Sequence, residues 1–197
     1  MDIFIPILIF IFVASFTPGP NNIIAMSIGF AHSFKKALPH IFGVAFGFSA
    51  MLLIVGFLLK PVILKYPIVL TILKYISFAY ILYIVYKIAT SHIDANDKEK
   101  KPITFFESML FQWINPKAIA GALSLITIYI PTQNFSKWLL IATITAFVNA
   151  AVAVAMWAQI GVKISKFLTD PLHQKLFNYT MAALLLTSVT FALFYKN

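Results

Sequence analysis

The segment "FTPGPNNI" (residues 16–23) interrupts an apolar stretch that otherwise has the character of one membrane helix. Two prolines, a glycine and two asparagines separate the apolar residues 3–16 from the apolar residues that resume at position 23. A proline inside a helix removes a backbone N–H donor and clashes with the preceding turn, but it suits the first position of a new helix. We therefore predict a flexible turn at Gly19 and a new helix that begins at Pro20.

The composition is that of an integral membrane protein. Of the 197 residues, 61% are hydrophobic and only 11% are charged, which is more apolar surface than a soluble domain can bury. We expect one transmembrane domain over residues 1–197. The net charge of +9 would suggest nucleic acid in a soluble protein, but the lysines lie mostly in short loops, so no nucleic-acid partner is expected. The absence of cysteine excludes disulfides and thiolate metal sites, and we expect neither metal nor cofactor.

Six apolar runs are long enough to cross a membrane, since a spanning helix needs about 20 apolar residues. They are continuous rather than alternating, which favours helices over a barrel. We predict an all-α membrane protein with six transmembrane helices, at about residues 3–31, 38–59, 68–90, 103–130, 138–160 and 176–195.

A polar segment, "TSHIDANDKEKKP" (residues 90–102), divides these spans into three and three. We predict a first repeat over about residues 1–90, a cytoplasmic loop over about 91–102 and a second repeat over about 103–197. The connections on the side of this loop carry nine lysines, and the termini and connections on the other side carry four. Positive residues favour the cytoplasmic side, so both termini are predicted outside.

A second interruption, "NPK" (residues 115–117), lies in the fourth span. Pro20 and Pro116 are 96 positions apart, each in the first helix of its half. A half with an odd number of spans inserts the other way up the second time, which predicts two inverted three-helix repeats. In transporters built this way, paired interrupted segments mark the binding site. The alternative is that both prolines only kink their helices.

The chemistry of the two interruptions favours a carboxylate. Asn115 suits an N-cap and Pro116 a first helical position, so both interruptions create helix N-termini inside the protein. Free N–H groups and the positive end of the helix dipole attract anions there. Lys117 lies in a first turn, where the dipole disfavours a cation, and a bound anion nearby would resolve this conflict.

Three further polar residues lie in or near the predicted spans. Asn149 is at the centre of span five, where its amide either bonds a neighbouring helix or lines a substrate path. Lys74 is seven residues into span three and either snorkels to the surface or takes part in coupling or gating. Glu107 is a second candidate for coupling or gating, although a solvated helix end explains it equally well.

We expect two glycines to pack helices together and the four histidines to lie in solvent. Gly43 and Gly47 form a GxxxG pattern that predicts close helix packing, within the subunit or across a dimer. The histidines fall near span ends or in loops and are expected to be solvated; they are His32, His40, His92 and His173.

Several stretches resemble the LysE/RhtB superfamily of bacterial amino-acid exporters, most closely its cysteine/O-acetylserine branch. The order and spacing fit over nearly the whole chain. The resemblance implies a homodimeric six-helix exporter of the inner membrane that moves small neutral amino acids outward in antiport with protons or cations. The stretches are "TPGPNNIIAMS", "IFGVAFGF", "LKYISFAYILYIVYKIATS" and "FQWINPKA".

The expected partners are therefore a small amino acid and membrane lipid, and the expected mechanism is alternating access around a fixed midplane site. Other functions stay open: efflux of a different small solute, or a non-transporting role in a membrane assembly. An intramembrane enzyme is disfavoured because no Asp lies within a predicted span. The predicted substrate-binding residues surround the two interruptions or lie in span five: Pro18, Gly19, Pro20, Asn21, Asn22, Asn115, Pro116, Lys117 and Asn149.

Overall fold

The computed structural model describes residues 3–59, 102–166 and 170–194, with isolated positions between 66 and 89. Regular structure in these residues is helical throughout. Lys74, His92, the polar segment 90–101 and most of the predicted third span lie outside the described residues.

Three helices precede the long stretch of residues that the structure does not describe. α1 covers Phe4–Phe16 and α2 covers Pro20–Ala31. α3 covers Phe34–Ile54 and continues as a π-helical segment, Val55–Leu59. Ser33 caps α3, since its hydroxyl accepts a hydrogen bond from the Lys36 N–H.

Four helices follow that stretch. α4 covers Phe105–Phe111, and α5 covers Pro116–Ser124 and continues as a second π-helical segment, Leu125–Tyr129. α6 covers Phe135–Ser165 and α7 covers Pro171–Phe194.

The described helices suit a membrane by length and composition. Phe34–Leu58 and Phe135–Ser165 are each long and apolar enough to cross one. α1 and α2 meet at an angle of 47° and provide a third crossing if the pair is counted as one span. These three segments overlap the predicted first, second and fifth spans. The protein is thus membrane-embedded.

α2 and α6 are in direct backbone contact through two glycines. A Cβ placed on Gly29 would collide with the main-chain oxygen of Ala158, and one on Gly161 would collide with that of Met26. Close approach of this kind is how membrane helices gain van der Waals contact when both neighbours and lipid are apolar. α6 is therefore packed directly against the backbone of α2.

The GxxxG pair of α3 packs within the subunit. A Cβ on Gly43 would stand 2.5 Å from the main-chain oxygen of Phe105, and one on Gly47 would stand 2.5 Å from that of Met109. Both neighbours belong to α4, so this pattern brings α3 against the short helix that precedes the second interruption.

Two buried apolar clusters form the core. The first joins residues of α2, α3, α6 and α7. The second joins residues of α1, the end of α3, α5 with its π-helical segment and the first half of α6. Each cluster thus draws on both sequence halves.

We expect Gly29→Ala and Gly161→Ala each to lower the free energy of unfolding by about 1–3 kcal/mol, because the added methyl group meets backbone that side-chain rotation cannot move. Thermal unfolding in detergent measures the effect. Gly121→Ala is the matched control, since a Cβ there meets nothing within 4 Å. Equal midpoints for all three variants would contradict the packing.

Candidate functional site

The chain leaves the helical conformation at residues 17–19, and the last carbonyl groups of α1 lack intrahelical partners there. Asn22 is 4% exposed. Its side-chain nitrogen donates to the main-chain oxygen of Ser15 at 2.8 Å and to the main-chain oxygen of Thr17 at 2.9 Å. The Trp157 indole N–H of α6 donates to the Phe16 oxygen at 3.3 Å. Side chains of α2 and α6 thus take the place of the missing helical turn.

Lys117 completes this set from the other half of the sequence. Its Nζ donates to the Thr17 main-chain oxygen at 2.7 Å, to the Thr17 hydroxyl at 2.8 Å and to the Pro18 oxygen at 3.2 Å. A cation is favourable at the negative C-terminal end of a helix. The conflict expected at the start of α5 is therefore relieved by the end of α1, without an anion.

Gly19 leaves space for a neighbouring side chain rather than supplying a flexible turn, so the sequence-based reason was wrong. Its backbone is extended, with φ −171° and ψ 176°, a conformation that any residue adopts. A Cβ on Gly19, however, would stand 2.7 Å from Lys117 Cδ and 2.9 Å from Nζ. The missing side chain lets Lys117 reach the α1 carbonyl groups.

A reciprocal amide pair joins the two interruptions. The Asn21 side-chain nitrogen donates to Gln112 Oε1 at 2.9 Å, and Gln112 Nε2 donates to Asn21 Oδ1 at 3.2 Å. Gln112 also donates to the main-chain oxygen of Ser108 at 2.8 Å. The sequence interpretation missed Gln112, although an amide three residues before "NPK" was a signal that pointed to it.

His40 lies behind this pair, and the prediction that it is solvated was wrong. Its side chain is fully buried. Its Nδ1 is 2.8 Å from the Ser108 hydroxyl, and its Nε2 is 3.0 Å from the main-chain oxygen of Asn21. A polar partner on each side compensates for the burial, so His40 links α2, α3 and α4. His32 and His173 are exposed.

The two interior helix starts differ in their caps. Asn115 caps α5, since its Oδ1 accepts a hydrogen bond from the Lys117 N–H at 3.1 Å. α2 has Gly19 at the same position, which has no side chain to cap the helix. The chain between α4 and α5 also forms a tight turn, in which the main-chain N–H of Asn115 donates to the main-chain oxygen of Gln112 at 3.4 Å. The start of α2 is the more open of the two.

A cavity of about 80 Å³ lies between these elements. Its walls include apolar residues of both core clusters, such as Ile11, Val44, Leu125 and Val154. Of the nine predicted substrate-binding residues, those that line it are Gly19, Pro20, Asn21, Asn22, Asn115 and Lys117, and the structure adds Gln112 and Ser15.

The remaining predicted residues lie elsewhere. Pro18 and Pro116 adjoin the cavity-lining residues in sequence but are not among them. Asn149 donates to the Thr145 oxygen of its own helix at 2.9 Å and is likewise not in the lining. Glu107 is exposed and caps α4 together with Thr104, whose N–H donates to its carboxylate at 2.7 Å. Lys74 lies outside the described residues.

An apolar helical protein whose two interruptions meet at a mainly apolar cavity with a few convergent polar side chains has the features of a membrane transport protein. Comparison with known families agrees. The family model described as LysE type translocator matches residues 12–197, and the chain belongs to this family. Membership makes it a translocator rather than an enzyme.

The chain is also similar to individual curated proteins. A cysteine/O-acetylserine efflux protein of Salmonella typhimurium is 32% identical over 149 residues, which cover 73% of this chain and 76% of that protein. A cysteine/O-acetylserine efflux protein of Escherichia coli (strain K12) is 31% identical over 149 residues, which cover 73% of this chain and 76% of that protein. No solved structure matches the chain at a significant level.

The contact between Gly19 and Lys117 is testable by a double-mutant cycle in detergent. Gly19→Ala should destabilise the wild-type protein because the new methyl group displaces the Lys117 side chain. In a Lys117→Ala background the same change should have little effect, which gives a coupling energy of about 0.5–3 kcal/mol. Additive effects on the unfolding midpoint would show that the two residues act independently.

Proposed function

We propose that the protein exports small neutral amino acids or their derivatives, of the cysteine/O-acetylserine or threonine/homoserine type, across the bacterial inner membrane in exchange for protons. The observation that carries the proposal is the cavity, which both interruptions line with amides, an uncapped helix start and a lysine. The efflux proteins to which the chain is similar support the same substrate class.

The chemistry of the lining matches a zwitterion. The uncapped start of α2, formed by Gly19, Pro20 and Asn21, offers the positive end of a helix dipole to a carboxylate. Lys117, on the facing side, adds a positive charge. The side-chain oxygens of Asn21 and Gln112 accept hydrogen bonds and so suit an ammonium group, which replaces one partner of the amide pair when the substrate binds.

The size and polarity of the cavity favour a small neutral side chain. A water-sized group needs about 10–15 Å³ of such space, so the cavity holds roughly five to eight of them. The described lining contains no acidic residue that would pair with a basic substrate side chain. Walls of Phe10, Val44 and Phe48 favour a short, weakly polar group instead.

For the whole chain we propose six spans arranged as two inverted three-helix repeats, over about residues 1–90 and 103–197. Both termini lie outside, the 91–102 loop is cytoplasmic, and two copies form a homodimer. Transport follows from rocking of one repeat against the other around the cavity. Pro18 and Pro116 interrupt the two helices. In the same proposal, Asn149 lies in the substrate path, and Lys74 and Glu107 take part in coupling or gating.

The decisive experiment is release of labelled amino acids from proteoliposomes that contain only this protein. The panel includes cysteine, O-acetylserine, serine, threonine, homoserine, leucine and lysine, with and without a pH gradient. Selective release of one or two small neutral members, stimulated by the gradient, is the expected result. No release of any member by folded protein would overturn the proposal and favour another solute or a non-transporting role.

Gln112→Leu should weaken substrate exchange, because it removes one half of the amide pair and leaves Asn21 without its partner. The loss of about 1–3 kcal/mol corresponds to roughly 5- to 150-fold in apparent affinity. Gln133→Leu, the same change at an exposed residue before α6, is the matched control and should exchange substrate as the wild type does. Equal apparent affinities for both variants would contradict the assigned role of Gln112.

A further inference from the structure

His40 is a titratable side chain held in the interior beside the cavity wall. It has no exposed surface, and it contacts Asn21, which lines the cavity. The acidic residues that the structure describes, Glu107 and Asp170, are exposed. Lys117 is also in the lining, but its three donors are directed at Thr17 and Pro18. Within the described chain, His40 is therefore the titratable group best placed to carry a proton next to the substrate.

The hydrogen-bond partners of His40 decide which ring nitrogen carries the hydrogen when the histidine is neutral. The Asn21 main-chain oxygen is only an acceptor, so Nε2 carries a hydrogen and donates to it across 3.0 Å. In a neutral imidazole the other nitrogen is then an acceptor. Ser108 accordingly donates its hydroxyl hydrogen to Nδ1 across 2.8 Å. In this tautomer the neutral histidine is fully hydrogen-bonded.

The same partners also accommodate the protonated histidine. A proton that binds the Nδ1 lone pair forms a new N–H bond, and this N–H donates to the Ser108 oxygen. The Ser108 hydroxyl hydrogen then turns to the carbonyl one helical turn back, a bond that serine commonly makes in helices. That carbonyl belongs to Thr104 and already accepts from the Ser108 N–H at 3.0 Å, which leaves its second lone pair for the hydroxyl.

We propose that His40 binds the proton that is exchanged for the substrate, an inference that rests on the proposed export function. The protonated imidazole and the substrate ammonium are two positive charges that both interact with Asn21, His40 through its main-chain oxygen and the ammonium through its side chain. Like charges disfavour each other at close range. Proton binding and substrate binding therefore oppose one another, which is the requirement for exchange in opposite directions.

The charged groups of the neighbouring helices do not replace His40 in this competition between proton and substrate. α2 carries no titratable residue. On α4, Glu107 is exposed and bonded to the Thr104 N–H. Lys35 and Lys36, at the start of α3, are exposed, and the lysines of α6 lie near its two ends. Lys117, which also lines the cavity, adds a positive charge nearby on α5.

The test compares His40→Gln with the wild type in proteoliposomes loaded with a pH-sensitive dye. Two quantities are measured together: exchange of labelled against unlabelled amino acid at equal pH, and proton movement that accompanies amino-acid release. His40→Gln should retain exchange, since glutamine keeps a donor for the Asn21 oxygen. It should lose proton movement, stimulation by the pH gradient and the pH dependence of exchange.

His173→Gln is the matched control, because it makes the same substitution at an exposed histidine, and it should behave as the wild type. Ser108→Ala serves as a second variant if His40→Gln does not fold. It keeps the histidine but removes the partner of Nδ1, so the pH dependence of exchange should shift. A purely packing role for His40 predicts reduced exchange with an unchanged pH profile and unchanged proton movement.

The outcomes separate this inference from the proposed function. If the wild type releases no amino acid, the export function fails and the role of His40 fails with it. If the wild type moves both substrate and protons, and a folded His40→Gln protein still does so, only the assignment of His40 is overturned. Ser108→Ala with a wild-type pH profile would overturn it in the same way.

Discussion

The structure depends on how the carbonyl groups at the end of α1 are paired with donors from other helices. The interruption at residues 17–19 leaves several of these groups without intrahelical partners, and an unpaired carbonyl is costly wherever water does not reach it. Asn22, Trp157 and Lys117 donate to them from three different helices. Donors on α2, α5 and α6 therefore stabilise the end of α1, and Lys117 joins the two interruptions directly.

A second polar layer connects this arrangement to the cavity. The Asn21–Gln112 amide pair lines the cavity, and His40 with Ser108 supports it from behind. Buried polar networks specify one arrangement when all members are paired, and they respond strongly when one member changes. A group that binds at the amide pair is therefore coupled directly to the contacts that join α2, α3 and α4.

Local chemistry explains which parts of this arrangement the sequence predicts. Helix starts at Pro20 and Pro116 follow from the missing proline N–H and the fixed proline φ, which need no tertiary contact. The GxxxG spacing likewise indicates close packing without naming the partner. His40 was misjudged and Gln112 was missed because their partners are 68 and 91 residues away in sequence, and local patterns do not show which distant residues a side chain contacts.

The sequence by itself determined that this chain is a helical membrane protein, where its helices are interrupted and which polar residues accompany the interruptions, because hydropathy and proline geometry are local properties. Only the tertiary structure decided that Lys117 bonds to the end of α1, that the absence of a side chain at Gly19 leaves room for it and that a histidine near a helix start is buried. These outcomes depend on which helices meet, and close packing between distant segments sets that choice.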